Sequence, residues 1–203
     1  MIQMTAKSVE RKKPQIICPV VLKVAHVTHS LTRRARVVEL SRQARKAVAE
    51  SARNAGSSIC SLVKDEKGVP IPKDGLFWSL SHKPEYVAGV VAPQPVGIDL
   101  EKIRSVKSGM YAKVAHEGEW ELVEASLPKS FFRFFTAKEA VLKATGIGLR
   151  GLKSCKVIKI DNDAHLTIDY QNQHWCIEHF YFENHMAAVV KNGLEISWIL
   201  EKS

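Results

Sequence analysis

An apolar run that turns into alternating carboxylates, Val96-Gly97-Ile98-Asp99-Leu100-Glu101-Lys102, limits what this chain can become more than any other stretch. On an extended strand alternate side chains share a face, so Asp99 and Glu101 sit about 7 Å apart and point the same way. A second stretch, Phe135-Thr136-Ala137-Lys138-Glu139-Ala140-Val141-Leu142-Lys143, reads as helix. Its Glu139 and Lys143 lie one turn apart on one face, with Cβ atoms roughly 6 Å from each other. Two carboxylates on a strand and a third on a helix suit a hard divalent cation such as Mg²⁺. That ion takes oxygen ligands and leaves positions open for a substrate phosphate. A lysine one turn from the third carboxylate is then placed to meet that phosphate.

At 203 residues the chain fits one large domain or two halves of about 100 residues each. Thirty basic against 21 acidic side chains give a formal charge of +9, which favours a polyanionic partner. Nucleic acid, a phosphorylated cofactor, an acidic protein and an anionic membrane all qualify on charge alone. Cys18, Cys60, Cys155 and Cys176 are scattered, with no CxxC pair and no zinc-finger histidine spacing. They read as reduced structural thiols of a cytoplasmic protein. No apolar run approaches the roughly 20 residues that span a bilayer, so no membrane partner is expected. Residues 1–15 are expected to be a flexible basic N-terminus without the apolar core of a signal peptide.

Ile16 to Val27 is apolar and β-branched enough for a strand, with Pro19 confining it to an edge. From about Thr28 to Asn54 the spacing of Val37, Leu40, Ala44, Ala47 and Val48 predicts a helix, with Gly56 as its stop. The opposite face carries Arg36, Arg42, Arg45 and Lys46. These form either a solvated charged face or a place where one or two arginines grip a phosphate bidentately. A Gly/Pro turn over 64–72 leads into a predicted hairpin over 77–92, with Ser81 and His82 at its polar tip. The two are either ordinary tip residues or phosphate contacts. Pro93 and Pro95 break the chain before the Asp99 strand. The expected organisation is an N-terminal half over 16–95 and a C-terminal half over 96–203.

The segment from 105 to 128 is polar, with weak helical signals, and suits a loop or lid beside the metal site. Phe131, Phe134, Phe135, Ala137, Val141 and Leu142 then give the second helix an apolar face, ended by Gly146 and Gly148. Thr136-Ala137-Lys138-Glu139 also has capping-box spacing, in which Glu139 would only satisfy a backbone N–H. The apolar spacing starts five residues earlier, which argues that Thr136 is within the helix. From Cys155 the tail predicts an antiparallel meander of about five strands, CKVIKI, HLTIDY, HWCIEHFYF, HMAAVVK and EISWIL. The class is α+β, each half with helices and a small sheet.

These stretches resemble a family. VGIDLEKI resembles the (V/I)G(I/V)DxE motif of 4′-phosphopantetheinyl transferases, and FTAKEAVLKATGIGL resembles their (F/W)(S/T)xKE(A/S)xxK motif. WSLSH is similar to the third motif of the longer, surfactin-synthetase-activating class. SRQARKAV and the KGVPIP turn are similar to that class's GRxAAxxAL region and GxP segment. The matches run from about residue 41 to 152. The resemblance implies two similar α/β halves forming a pseudo-twofold, and hence a monomer that is a pseudo-dimer within one chain.

It also implies a chemistry. Phosphopantetheine would pass from coenzyme A to a serine of an acidic apo acyl or peptidyl carrier protein, releasing 3′,5′-ADP. Mg²⁺, or Mn²⁺, would be held by Asp99, Glu101 and Glu139. Glu139, directly or through water, would be the base and Lys143 the charge stabiliser. Ser81, His82, Lys138, Lys143 and Arg42 would contact the coenzyme, Arg42 at its 3′-phosphate. The region 105–130 would face the carrier, and no nucleic acid is expected. Ser41 departs from the glycine that usually precedes the family's arginine, and Arg33, Arg34 and Arg36 are further candidates upstream. Two rivals remain on the residues alone. A Mg²⁺-dependent nuclease could use the same carboxylates, and a basic nucleic-acid-binding module could use the Arg-rich helix.

Overall fold

The computed structural model describes residues 15–24, 32–124 and 127–201. In chain order these form β1 (Ile16–Ile17), β2 (Val20–Lys23), α1 (Arg33–Asn54), β3 (Phe77–His82), β4 (Tyr86–Ala92) and β5 (Ile98–Lys102). Two short helices, α2 (Tyr111–Val114) and α3 (Glu117–Trp120), precede the long α4 (Pro128–Thr145). The tail adds β6 (Lys156–Ile160), β7 (His165–Tyr170), β8 (Gln173–Phe182), β9 (His185–Val190), β10 (Glu195–Ile196) and β11 (Ile199–Glu201). The class is α+β.

Strand β4 is buried at every position because its two faces look into different cores. Val87 and Val91 turn toward α1, where they meet Leu40, Ala44, Ala47, Val48 and Ala52. Ala88, Val90 and Ala92 turn the other way, onto Ile98 and Leu100 of β5 and Ala187 and Val189 of β9. Met186, Ala188 and Val190 of β9 complete the alternation by facing the aromatic side of α4. The result is four layers: α1, a sheet of order β11-β2-β4-β3, a sheet of order β5-β9-β8-β7-β6, and α4. Each sheet thus buries both faces, one on a helix and one on the other sheet, which is why β4 and β9 read as unbroken apolar runs.

Several expectations change. The tail does not make a five-stranded meander by itself. Its fourth strand, β9, pairs with β5, and EISWIL leaves to pair with the start of the described chain. Ile199–Glu201 runs parallel to Val20–Leu22, so one strand from the 96–203 stretch completes the sheet built by 16–95. Pro19 does not place its run at an edge. It splits the run into β1 and β2, and β2 lies inside its sheet between β11 and β4. Val37, expected within the buried stripe of α1, is exposed, because α1 meets the sheet only from Leu40 onward. Residues 1–14 of the expected N-terminus over 1–15, the end of the first strand signal and the start of the first helix signal (25–31), and Ala125 lie outside the described residues. No described helix is long and apolar enough to cross a membrane.

Candidate active site

Asp99 and Glu101 share a face because Ile98 and Leu100, both fully buried, take the other one into the inter-sheet core. The carboxylates therefore point to the α4 side. Strand β5 is the edge of one sheet and β3 the edge of the other, and the two edges meet. The Ile98 N–H donates to Ser79 Oγ (3.1 Å), and Ser81 Oγ donates to Asp99 Oδ1 (2.9 Å). Helix α4 closes on this seam at Gly97, where a Cβ would lie 1.8 Å from the Ala140 carbonyl oxygen. Gly89 does the same for the other sheet, with Val48 N of α1 at 2.4 Å from its would-be Cβ. Only glycine permits backbone approach this close.

Proline at the first turn of α4 puts the helix start at Pro128, so Thr136 is well inside it. Its hydroxyl donates back to Phe132 O (2.8 Å), and the capping-box role of Glu139 is thereby excluded. Glu139 and Lys143 instead face the seam together. Lys143 Nζ donates to Asp99 Oδ1 (2.8 Å), to Ile98 O (2.9 Å) and to Leu80 O (3.3 Å). Lys83 Nζ lies 2.6 Å from Glu101 Oε1.

Two adjoining cavities open here. One, of about 350 Å³, is lined by Ser81, His82, Lys83, Asp99, Glu101 and Glu139. The other, of about 390 Å³, runs past Lys64, Lys67, Val69, Leu142, Gly146 and Arg150. Lys64, Leu80, Glu139 and Lys143 border both. Burial pushes the Glu139 carboxyl up to about 7, with Asp99 adding repulsion and Lys143 and Lys83 opposing it. Burial also raises Glu101, against the pull of Lys83. His82 is pushed down, first by burial and then by Lys143, Lys83 and Lys64, so it is neutral at pH 7. Lys64 is likewise lowered, by burial and by Arg45 and Lys143. Carboxylates that resist ionisation beside cations that repel one another form a site lacking a cation at one end and an anion at the other.

The donor set fits a hard divalent ion. Among the described residues Asp99 Oδ2 and Glu139 Oε1 are buried with no hydrogen-bond partner, and an orphaned buried carboxylate oxygen is costly. Among the described residues, however, no three acidic, histidine or cysteine side chains are gathered into a ready ligand set. Asp99 and Glu101 are each already engaged by a lysine.

Asp99, Glu101, Glu139, Lys143, Ser81 and His82 are thus brought together; two other expected residues are not. Lys138, expected as a coenzyme contact, is fully buried on the far side of α4. Its ammonium is 2.6 Å from Glu119 and donates to Val114 O (2.8 Å). A side chain sealed in this way cannot reach a ligand in the cleft. Arg42 stands on the outer surface of α1, largely exposed and paired with Glu39 (2.7 Å), and lines neither cavity. The segment expected as a lid lines neither cavity. It packs on α4 through Tyr111, Val114 and Trp120, the last stacked on Phe134 (4.8 Å). Lys64, Lys83 and Arg150 also line the cavities, and no motif in the sequence marks them. A lysine flanking the Gly/Pro turn and one directly after Ser81-His82 were the available signals.

Residues 95–190, just under half of the chain, match the sequence model of the 4′-phosphopantetheinyl transferase superfamily. The chain is 32% identical over 90 residues to the 4′-phosphopantetheinyl transferase gsp of Aneurinibacillus migulanus, covering 42% of this chain and 38% of that protein. It is 34% identical over 102 residues to enterobactin synthase component D of Salmonella typhimurium, covering 47% and 44%. It is 35% identical over 106 residues to the 4′-phosphopantetheinyl transferase HetI of a Nostoc species, covering 46% and 44%. The chain thus spans less than half the length of the curated relatives it matches. The part that carries Asp99, Glu101, Glu139 and Lys143 is a match to the 4′-phosphopantetheinyl transferase superfamily.

Proposed function

We propose that this chain is a Mg²⁺-dependent enzyme that transfers 4′-phosphopantetheine from coenzyme A to a serine of an apo carrier protein. The observation that carries the reading is the pair of orphaned oxygens, Asp99 Oδ2 and Glu139 Oε1, at the junction of two cavities walled by Lys64, Lys83 and Lys143. Acid on one side and base on the other is what a diphosphate bridged by a divalent ion requires. Asp99, Glu101 and Glu139 are the acidic set for that ion, with Mn²⁺ an alternative. When bound, the ion supplies neutralising charge to the diphosphate.

Glu139, whose carboxyl burial pushes up to about 7, accepts the proton of the carrier serine hydroxyl. The serine oxygen bonds to the phosphorus next to pantetheine, the bond from that phosphorus to the bridging oxygen breaks, and 3′,5′-ADP leaves. Lys143 meets charge growing on the diphosphate and neutral His82 donates to its oxygens, while Ser81 beside them donates to Asp99 Oδ1 and holds that carboxylate in place. Lys64, Lys67 and Arg150 line the adjoining cavity and offer charge to the remaining phosphate, where Arg42 does not reach. Val69, Leu142 and Ile147 give that cavity an apolar wall for the uncharged parts of the coenzyme. An acidic carrier helix would approach the basic surface and the arm over 105–124. The back-to-back sheets, each with one outer helix, support a pseudo-dimeric monomer. Reduced cysteines and the coenzyme suit a cytoplasmic setting.

Incubation with coenzyme A, Mg²⁺ and an apo carrier domain tests this. A carrier mass gain of one phosphopantetheine is expected. No gain with a carrier that a known transferase modifies overturns the reading, and nucleic-acid cleavage instead would favour a nuclease.

A further inference from the structure

The turn over 62–71 brings Lys64, Lys67, Gly68, Val69 and Pro70 to the wall of the larger cavity, yet it lies outside the helices and the three sheets. Its own bonds give it shape. The Asp65 N–H donates to Val69 O (2.9 Å) and the Ile71 N–H to Val63 O (2.9 Å), while Asp65 Oδ1 accepts from the amides of Lys67 (2.9 Å) and Val69 (2.8 Å). Two side chains tie the shaped turn to the body of the protein. A guanidinium N–H of Arg45, from the middle of α1, donates to Leu62 O on one limb. The indole N–H of Trp78, the second residue of β3, donates to Ile71 O on the other limb (3.1 Å). The anchors also meet each other, with the Arg45 guanidinium carbon over the Trp78 ring at 5.8 Å from its centre. Trp78 is buried among Val48, Ala52 and Val91, whereas Arg45 is half-buried and lines neither site cavity.

We propose that Arg45 is a positioning residue for coenzyme binding: through Leu62 O and the face of Trp78 it seats the 62–71 turn so that Lys64, Lys67 and Val69 wall the cavity. This rests on the transferase reading above, which places the coenzyme beneath that turn. A turn released at one limb spends part of its time away from the cavity. A ligand that needs the turn in place then binds more weakly, in proportion to the fraction still seated. Arginine suits the task because its planar group can bond a carbonyl and lie on an indole at once, which a lysine ammonium does not do. Arg45 stands where the GRxAAxxAL pattern has its second alanine, so this anchor is not part of that pattern.

Calorimetric titration with coenzyme A and trypsin cleavage at the Lys67–Gly68 bond, read by mass spectrometry, test this on the full chain. Thermal melts check that each variant is folded, and Arg45→Gln repeats the test if Arg45→Met proves unstable. Arg45→Met is expected to weaken coenzyme A binding about tenfold, the scale of one lost hydrogen bond from a charged donor. Cleavage at Lys67–Gly68 should quicken by a similar factor, about tenfold, because it follows the population of the unseated turn. Transfer to an apo carrier at saturating coenzyme should stay within about twofold of wild type, since binding alone is lost. Arg45→Lys keeps the charge but not the planar group and should fall between the two. Weaker binding in Arg45→Met with cleavage at the wild-type rate would mean charge acting through space, and would overturn the proposal. Wild-type affinity in Arg45→Met would overturn it too, and would leave the transferase reading standing. Wild-type protein that does not bind coenzyme A would overturn that reading, and the proposal with it.

Discussion

The Lys143 ammonium donates to Asp99 Oδ1 at 2.8 Å and to the carbonyl of the preceding residue, Ile98, at 2.9 Å. A third bond at 3.3 Å goes to Leu80 O on the other sheet. One side chain of α4 therefore pins the facing edges of both sheets while its charge lies on the carboxylate cluster. The charge at the carboxylate cluster and the alignment of the seam are coupled through it.

Lys143→Ala is expected to lower phosphopantetheine transfer about 10²-fold or more, the scale of losing one charge-stabilising group. It should also lower the melting temperature, because two backbone carbonyls and Asp99 lose their donor. Lys143→Arg should recover more of the melting temperature than of the rate. Parallel melts and single-turnover assays of the three proteins separate the two effects.

Glu139 gives stability a pH dependence of predictable sign. Its folded-state value of about 7 is above that of an unfolded glutamate, so the folded chain holds the proton more tightly. The contribution is full below the unfolded value, near 4.5, and is lost as pH rises through about 7. In metal-free buffer, melting temperature should fall between pH 5 and 7.5 in wild type, and fall less in Glu139→Gln. Identical slopes would place the titration elsewhere.

The buried pair of Lys138 and Glu119 gives a stability prediction apart from chemistry. Glu119 accepts from Lys138 (2.6 Å), from Val157 N (2.7 Å) and from His116 N (2.9 Å), tying α3 and β6 to α4. Glu119→Ala strands an ammonium with no exposure and is expected to cost about 3–5 kcal/mol in urea unfolding. Lys138→Met with Glu119→Gln should cost less than Glu119→Ala alone. The double variant should keep its coenzyme affinity, since Lys138 does not reach the cleft.

Gly97→Ala drives a methyl into the Ala140 carbonyl and should abolish soluble expression or strongly lower the melting temperature. Gly109→Ala, with nothing among the described residues within 4 Å of its would-be Cβ, is the control and should melt within a degree or two of wild type. Expression and thermal melts of both variants decide it.

How much of this was legible in the sequence follows from which periodicities reach the site. Asp99 and Glu101 were readable because strands alternate with period two. Glu139 and Lys143 were readable because helical neighbours recur one turn apart. Those rules fix which residues share a face, and here the shared faces are the ones that line the candidate site. They do not say what a face looks at. The arginines of α1 share a face, but Arg42 looks at solvent. Lys138 is polar by type, yet it is buried because Glu119, from a segment with weak local signals, comes to meet it. Lys64 and Arg150 reach the cavity from a turn and a 3₁₀ segment, where no period exists to project. The departure of EISWIL from the meander was illegible for a related reason. Its alternation fits either sheet, and only the vacancy beside β2 selects one.

That last pairing governs how the molecule is built. Val20 meets Ile199 across almost the whole described chain, one of the longest loop closures the fold contains. A ribosome must deliver residues 199–201 before the first sheet can be finished, so the seam between β3 and β5, where the coenzyme would lie, matures late. Shortening or blocking the 199–201 strand should therefore harm a cleft on distant residues without touching one of them.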